Sequence, residues 1–313
     1  MDGTGPYDNV AIVVGDSNPH LCDAIRTTLD EEGLTNVETC LTPDALIEAI
    51  DDRIVDLILV DHLLAGPHPE DLIQRIRRKA LGRNPFVAII AMIDAEAPAA
   101  AKTMAESGVD KVVAKPLTVD QLFKRVTNLT RKRTPYIVSS RYIGPSRREV
   151  ERADERPTIM RETPNTLRSR LIDKTGEDEI ERMIERAAEQ LRGDRFDATA
   201  MEIDFLVTGI SAFYTTGGSH EDWRTKLRRL IWVAEGWRAD HDGPSKDVIF
   251  DLAGMLINLA KRILGSSPTQ RIVQVDLLVQ LSQAVRASMD IDHREAHSFE
   301  EITRIISRFT KDD

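Results

Sequence analysis

Five short runs of apolar, mostly β-branched residues punctuate the first 130 residues of the sequence. Several runs are apolar at every position, as strands covered on both faces of a sheet must be. Helical patterns separate the runs, so the segment alternates strands with helices. This alternation predicts a parallel sheet with helices on both faces, in which ligands bind at the carboxyl ends of the strands. The predicted strands cover residues 10–14, 37–40, 57–60, 86–92 and 112–114.

Helix start and stop signals lie between these runs. Thr42 is followed by Pro43, which is the pattern of an N-cap with proline at the first helical position. Thr118 and Gln121 have the spacing of a capping box, and Gly108 stands where a helix should end. These signals support the alternation of strands and helices.

Three charged residues follow strands one, three and five. They are Asp16, Asp61 and Lys115, and the carboxyl ends of parallel strands bring such residues together. Asp61 can act as a nucleophile toward phosphorus, Asp16 can hold a magnesium ion, and Lys115 can neutralise a phosphoryl group. The alternative, that Asp61 is only the polar end of a buried strand, accounts for neither of the other two residues.

The segments around these residues resemble the receiver domains of response regulators in two-component signalling. They read VVGDSNPHL, LILVDHLLAG and VDKVVAKPL, and the resemblance covers about residues 8–130. It implies a flavodoxin-like (βα)5 fold with Asp61 as phospho-acceptor and Lys115 as the residue that contacts the phosphoryl group. It also implies Mg²⁺ bound by Asp16, Asp61 and the backbone carbonyl of Leu63.

The resemblance implies partners as well. A sensor histidine kinase or a phosphotransfer protein would supply the phosphoryl group, and a domain of this type can self-associate through its last strand and helices. The stretch RYIGPSRR, residues 141–148, also resembles a YIGPxRR extension that follows some bacterial receivers.

Four positions depart from the receiver pattern. Gly15 replaces one of two adjacent acids, so the affinity for metal should fall. Ile93 stands where the family has a Ser or Thr, and Asp94 follows where a small residue is usual. Val112 replaces the aromatic switch residue, so both partners of the usual hydroxyl-to-aromatic coupling are missing. Phosphorylation of Asp61 and a scaffold that works without phosphate therefore both remain open.

Charge divides the chain into three segments. Residues 131–170 hold 11 Lys and Arg against 5 Asp and Glu, whereas the segments on either side are acidic. We expect a receiver-like domain at 8–130, an extended, partly ordered basic linker at 131–170 and an all-helical domain at 171–313. The acidic domains argue against a nucleic-acid partner, unless the linker arginines bind one.

The helical domain is predicted to bind a protein target. Apolar stripes at helical spacing indicate about six helices, and no catalytic constellation is evident, so we expect no enzyme activity. Phosphatase or other enzyme activity toward a phosphoprotein is the alternative. Trp223 is predicted to lie in the core, whereas Trp232 or Trp237 could anchor a partner.

Other candidate sites have simpler explanations. His293 and His297 are four residues apart, as a helical metal pair requires, but a solvated turn explains them. His220 and His241 lack the surroundings of a phosphotransfer histidine. Residues 215–219, TTGGS, could bind phosphate before a helix, but a turn with an N-cap explains them.

The class of protein follows from length and apolar patterning. A chain of 313 residues suggests two domains, and no apolar run is long enough for a membrane span. The start, MDGTGPYDN, lacks the pattern of a signal peptide and predicts a cytosolic protein. Cys22 and Cys40 are interpreted as small buried apolar residues.

Overall fold

A computed structural model describes residues 7, 9–64, 68–147, 157–216, 220–240 and 246–291. The chain forms two compact units. The first consists of Met1–Glu149 with Met160–Arg192, and the second of Val150–Ile159 with Gly193–Asp313. Within the described ranges, no helix combines the length and the apolarity that crossing a lipid bilayer requires.

The first unit contains a five-stranded parallel sheet of order β2-β1-β3-β4-β5, with a helix after each strand. This order is that of the flavodoxin-like fold and confirms the predicted (βα)5 architecture. The strands are β1 (Ile12–Gly15), β2 (Val37–Cys40), β3 (Leu57–Asp61), β4 (Ala88–Asp94) and β5 (Lys111–Lys115). The helices are α1 (Pro19–Glu31), α2 (Pro43–Asp52), α3 (Pro69–Arg77), α4 (Pro98–Ser107) and α5 (Val119–Arg131).

The sheet separates two apolar cores, one on each of its faces. In β4, Ile89 and Ile93 belong to one core and Ile90 and Met92 to the other. All five residues of β3 are buried, which explains why its sequence shows no apolar–polar alternation.

The predicted helix boundaries are confirmed by capping geometry. The Thr42 side chain accepts a hydrogen bond from Ala45 N at 3.2 Å, and both hydrogen bonds of the Thr118–Gln121 capping box are present. Gly108 ends α4 with a φ of 106°, a left-handed conformation that glycine adopts without strain.

The structure differs from the predicted extended linker at residues 131–170. The described parts of this segment contain β6 (Tyr136–Val138), β7 (Ile143–Pro145), β8 (Ile159–Arg161) and the short helix α6 (Thr166–Leu171). The strands form a second sheet of order β7-β6-β8. Residues 131–147 and 160–170 belong to the first compact unit, so most of the basic segment is part of that unit's structure.

Two buried arginines explain part of this order. Arg77 and Arg133 both bind Asp110, at 3.0 Å and 2.9 Å, and the ring of Tyr136 lies against both guanidinium groups. Burial opposes ionisation of Asp110, but the two arginines hold the pKa of its carboxyl below its ordinary value. Arg133 belongs to the basic segment, which the sequence predicts to be an extended linker. In the structure its charge is neutralised by Asp110 in the interior of the first unit.

The second unit is helical. Helix α7 (Glu177–Thr216) begins in the first unit and continues into the second, where α8 (His220–Asp240), α9 (Lys246–Gly265) and α10 (Pro268–Ile291) follow. These four helices contribute to one apolar core. Helix α10 begins directly after Ser267, whose Oγ donates a hydrogen bond to Gln270 Oε1 at 3.0 Å. The spacing of Ser298 and Glu301 in the sequence predicts one more helix start, and these residues lie outside the described ones.

The three tryptophans have different environments. Trp223 and Trp237 are buried in the core of the second unit, whereas Trp232 is 45% exposed. Trp237 packs against Phe196, with 5.6 Å between ring centroids. Of the three tryptophans, Trp232 is therefore the one whose side chain is exposed to solvent.

Candidate functional site

The structure brings Asp16, Asp61 and Lys115 together at the carboxyl edge of the first unit's parallel sheet. Lys115 Nζ lies 2.7 Å from Asp16 Oδ2 and 2.5 Å from Asp61 Oδ1. Both aspartates are buried, at 2% and 1% exposure, whereas Lys115 is partly exposed. Two buried carboxylates thus contact one ammonium group that is partly accessible to solvent.

Backbone groups hold the two carboxylates in place. Asp16 Oδ1 accepts a hydrogen bond from Asn18 N at 2.8 Å, and Asp61 Oδ2 accepts one from Leu63 N at 2.9 Å. The tight turns that follow β1 and β3 supply these donors. Asp61 Oδ1 is buried, and its contact with Lys115 is an ion pair without the geometry of a hydrogen bond.

Lys115 stays charged in this setting. Partial burial disfavours the ammonium form, but the hydrogen bond with Asp16 and the charges of Asp16 and Asp61 raise the pKa of Lys115 above its ordinary value. A permanent positive charge at this position can neutralise an incoming phosphoryl group. The Lys115–Pro116 peptide bond is cis.

The donor atoms suit a magnesium ion only in part. Asp16 and Asp61 offer carboxylate oxygens, and Leu63 follows Asp61 closely enough to offer its carbonyl. Mg²⁺ commonly takes one or two protein carboxylates together with water and phosphate oxygens, so Asp16 and Asp61 can supply the carboxylate part of its coordination. No cluster of three or more His, Cys, Asp or Glu side chains suited to a metal ion occurs among the residues that the structure describes.

Leu64 occupies the space beside Gly15. A Cβ atom added at Gly15 would lie 2.8 Å from Leu64 Cδ2 and 3.5 Å from Leu46 Cδ1. Leu64 is itself 4% exposed and belongs to the core on that face of the sheet. The position that usually carries a second acid is therefore packed with apolar side chains.

The end of β4 presents a carboxylate to the site. Ile93 is buried in the core and cannot supply the hydroxyl group that a Ser or Thr at this position would offer. Asp94 is exposed, and its Oδ1 lies 4.0 Å from Lys115 Nζ. Val112, at the position of the usual aromatic switch, packs against the same core as Ile93. Strand β4 therefore ends beside Lys115 with a carboxylate, where a receiver domain usually has a hydroxyl group and a small residue.

His62 is a neighbour of the site that the sequence analysis missed. Its Nδ1 lies 3.5 Å from Asp61 Oδ1, and the nitrogen is buried without a hydrogen-bond partner. Its place directly after Asp61 is the one signal in the sequence that could have drawn attention to it.

The remaining candidates contribute no second site in the described structure. Cys22 and Cys40 are buried free thiols, and burial raises the pKa of Cys40 to about 11, so it is an unreactive thiol. His293, His297 and His241 lie outside the described residues, as does most of the TTGGS stretch.

Comparison with known proteins finds a family match within the first unit. Residues 12–127 match the family model of the response regulator receiver domain. The phosphate regulon transcriptional regulatory protein PhoB of Rhizobium meliloti (strain 1021) is 28% identical over 130 residues, which are 41% of this chain. The chain spans 56% of the length of that relative.

Two solved structures are also similar. A response regulator receiver domain protein from Clostridium thermocellum is 20% identical and has a TM-score of 0.33, covering 38% of this chain and 92% of that one. Response regulator DrrB of Thermotoga maritima, an OmpR/PhoB homolog, is 20% identical with a TM-score of 0.34, covering 41% of this chain and 56% of that one. The family match ends at residue 127 and does not include the helical unit.

Proposed function

We propose that the receiver domain formed by residues 12–127 accepts a phosphoryl group on Asp61 and controls the binding of a protein target by the helical unit. The observation that carries the proposal is the contact of Lys115 Nζ with both Asp16 and Asp61 at the carboxyl ends of the strands. A lone buried aspartate at the end of a strand would need neither partner.

The chemistry is a transfer between two nucleophiles. An oxygen of Asp61 attacks phosphorus, the bond from phosphorus to the donor nitrogen of a phosphohistidine breaks, and the nitrogen keeps the electron pair and takes up a proton. The product is an acyl phosphate on Asp61. A histidine kinase or a phosphotransfer protein would be the natural donor of this group.

Each site residue has a separate task in this transfer. Lys115 balances the negative charge of the phosphoryl oxygens, and the Leu63 N–H holds the carboxylate in a fixed orientation. Mg²⁺, when bound, would be held by Asp16, Asp61 and the Leu63 carbonyl, and would supply further neutralisation of charge.

The structural change that follows phosphorylation of Asp61 is expected to differ from that of a typical receiver domain. Because Ile93 cannot donate a hydrogen bond, the new phosphoryl oxygens would be held by Lys115 alone among the side chains of β4 and β5. Asp94 lies 4.0 Å from the same ammonium group and would be repelled by the phosphate. We therefore place the first structural response at Asp94 and at the start of α4.

The output is proposed to be binding without catalysis. Trp232 is exposed on α8, and exposed aromatic residues beside arginine often anchor interfaces. Arg229 lies against the Trp232 ring, 4.7 Å from its centroid, which stiffens the side chain for contact. Pairing of two receiver domains through the last strand and helices is an additional, separate proposal.

A second candidate is a receiver domain that works as a scaffold without phosphate. Gly15 favours it, because the site lacks an acid at this position that would help to hold the metal, and Leu64 fills the space beside the glycine. Under this candidate, binding of a partner or the abundance of the protein would control the output.

Intact-mass measurement distinguishes the two candidates. The purified full chain is incubated with Mg²⁺ and a small-molecule phosphodonor, and we expect one phosphate adduct. Asp61→Ala should abolish it. Asp94→Asn is the matched control, because it removes a carboxylate from the same edge of the sheet and should leave the adduct in place. No adduct on a folded native chain would support the scaffold.

A further inference from the structure

A stripe of exposed residues runs along the part of α7 that belongs to the second unit. Met201 and Phe205 are 43% and 46% exposed, and Thr208 and Ala212 are also exposed, whereas Ile203 is buried in the core. The four exposed residues, which we name the α7 stripe, are spaced by four, three and four residues. This is the spacing of a coiled-coil seam and differs from the broader core-facing stripe of a globular helix.

The α7 stripe is complementary to itself. It has two large apolar residues, Met201 and Phe205, followed by two small ones, Thr208 and Ala212. When two copies pair antiparallel about a two-fold axis between Phe205 and Thr208, Met201 meets Ala212 and Phe205 meets Thr208. Each large side chain then fills the space above a small one, as an isologous interface requires.

A groove lies beside the stripe within the second unit. Its volume is about 620 Å³, and Met201, Phe205 and Thr208 line it together with Arg286 and Ala287 of α10 and with Pro157, which precedes β8. The groove gives the phenyl ring of a second copy a place to insert. A flat helix face would leave that ring in contact with water.

The charges that flank the stripe are already neutralised. Between residues 201 and 212 only Glu202 and Asp204 are charged. Glu202 pairs with Arg229 at 2.7 Å, and Asp204 pairs with Arg286 at 3.0 Å, each within the second unit. A second copy can therefore approach without burying an unpaired charge, which would otherwise oppose association.

We infer that two copies of this chain associate through their α7 stripes in an antiparallel arrangement. The interface is separate from any pairing of receiver domains. It does not rest on phosphorylation of Asp61, so the Asp61→Ala variant should associate equally well.

Sedimentation of the full chain over a range of concentrations tests the inference. We expect a monomer–dimer equilibrium that Phe205→Glu weakens roughly 30-fold or more, the effect of a central interface residue. Phe250→Glu is the matched control: Phe250 is 45% exposed on α9 and should have no effect on association. A monomer at every concentration, or a dimer that Phe205→Glu leaves intact, would overturn the inference.

Cross-linking tests the orientation. Met201→Cys and Ala212→Cys are prepared as separate variants and mixed, and the antiparallel arrangement predicts a disulfide between the unlike chains. Parallel pairing would link like chains and contradict the proposed geometry. The native chain measures the background, since Cys22 and Cys40 are buried. A monomer that Phe205→Glu destabilises would show that the chain covers its own stripe, and would also reject the inference.

Discussion

The positive charge of Lys115 sets the electrostatics at the residue scale. One ammonium group faces the two buried carboxylates of Asp16 and Asp61, leaving a net charge of one negative unit. A second acid at position 15 would add another negative charge and with it a stronger pull on a divalent cation. Gly15 therefore lowers the attraction of the site for Mg²⁺. Leu64 fills the space in which the side chain of an acid at position 15 would begin.

Restoring the acid should restore metal affinity. Gly15→Asp is expected to raise Mg²⁺ affinity about 10- to 100-fold, the usual effect of a carboxylate that supports metal-bound water. The new Cβ would lie 2.8 Å from Leu64 Cδ2, so that side-chain end must move. Isothermal titration calorimetry with Mg²⁺ measures the gain.

The matched control for this change is Gly15→Asn. Asparagine has the same shape but no charge, so it meets Leu64 in the same way and should give little or no gain in affinity. Equal affinities for the two variants would show that charge at position 15 does not limit metal binding.

At the scale of elements, α6 is held by an ion pair whose contribution to stability depends on pH. Arg170 Nε lies 2.8 Å from Asp56 Oδ2, and both side chains are at most 5% exposed. Burial raises the pKa of Asp56 from 3.8 to about 6, and Arg170 offsets only part of that effect. Between these two pKa values the folded state binds more protons than the unfolded state, so stability falls as pH rises through that window.

Removing the arginine should therefore cost more at high pH. Arg170→Ala leaves Asp56 buried without its charged partner, although the Ala11 N–H still donates to it, and is expected to lower the free energy of unfolding by about 3–5 kcal/mol at pH 8. The loss should be smaller at pH 5, where Asp56 can be neutral. Urea denaturation followed by circular dichroism measures both values.

Two internal comparisons make this experiment specific. Arg168→Ala, on the same helix, breaks an exposed pair with Asp173 and should cost less than about 1 kcal/mol. All three tryptophans belong to the second unit, so their fluorescence reports that unit separately. Equal losses for the two variants, or a loss at pH 5 as large as at pH 8, would contradict the role given to Asp56.

The elements of the first unit are predictable from sequence because their signals are local. Apolar runs and caps such as Thr118 with Gln121 specify strands and helices without knowledge of distant residues. The order at 131–170 was missed because it depends on contacts between residues far apart in sequence. Arg133 and Asp110, for example, are 23 residues apart.

The site was predictable to the same extent. Strand ends identified Asp16, Asp61 and Lys115, since parallel topology alone brings them together. The packing of Leu64 beside Gly15 could not be predicted, because it depends on how the turn after β3 folds back onto β1. The position of His62 beside Asp61 likewise depends on side-chain geometry that no spacing rule supplies.

At the scale of the whole molecule, the basic segment has less free positive charge than its composition suggests. Arg133 and Arg170 are neutralised by Asp110 and Asp56 in the first unit's interior. Arg147 donates a hydrogen bond to the carbonyl of Val109 in the same unit. The rest of the chain is acidic, with a net charge of −10 overall. A surface of this kind repels a phosphate backbone.

The full chain is therefore expected not to bind nucleic acid. A fluorescently labelled random-sequence DNA duplex should show no saturable binding below about 100 μM protein at an ionic strength of about 0.15 M, measured by anisotropy. If weak binding emerges at low salt, Arg131→Glu with Lys132→Glu should remove it, because these two residues are exposed. Micromolar binding whose salt dependence indicates more than about four phosphate contacts would contradict this expectation. It would indicate that the basic segment binds nucleic acid.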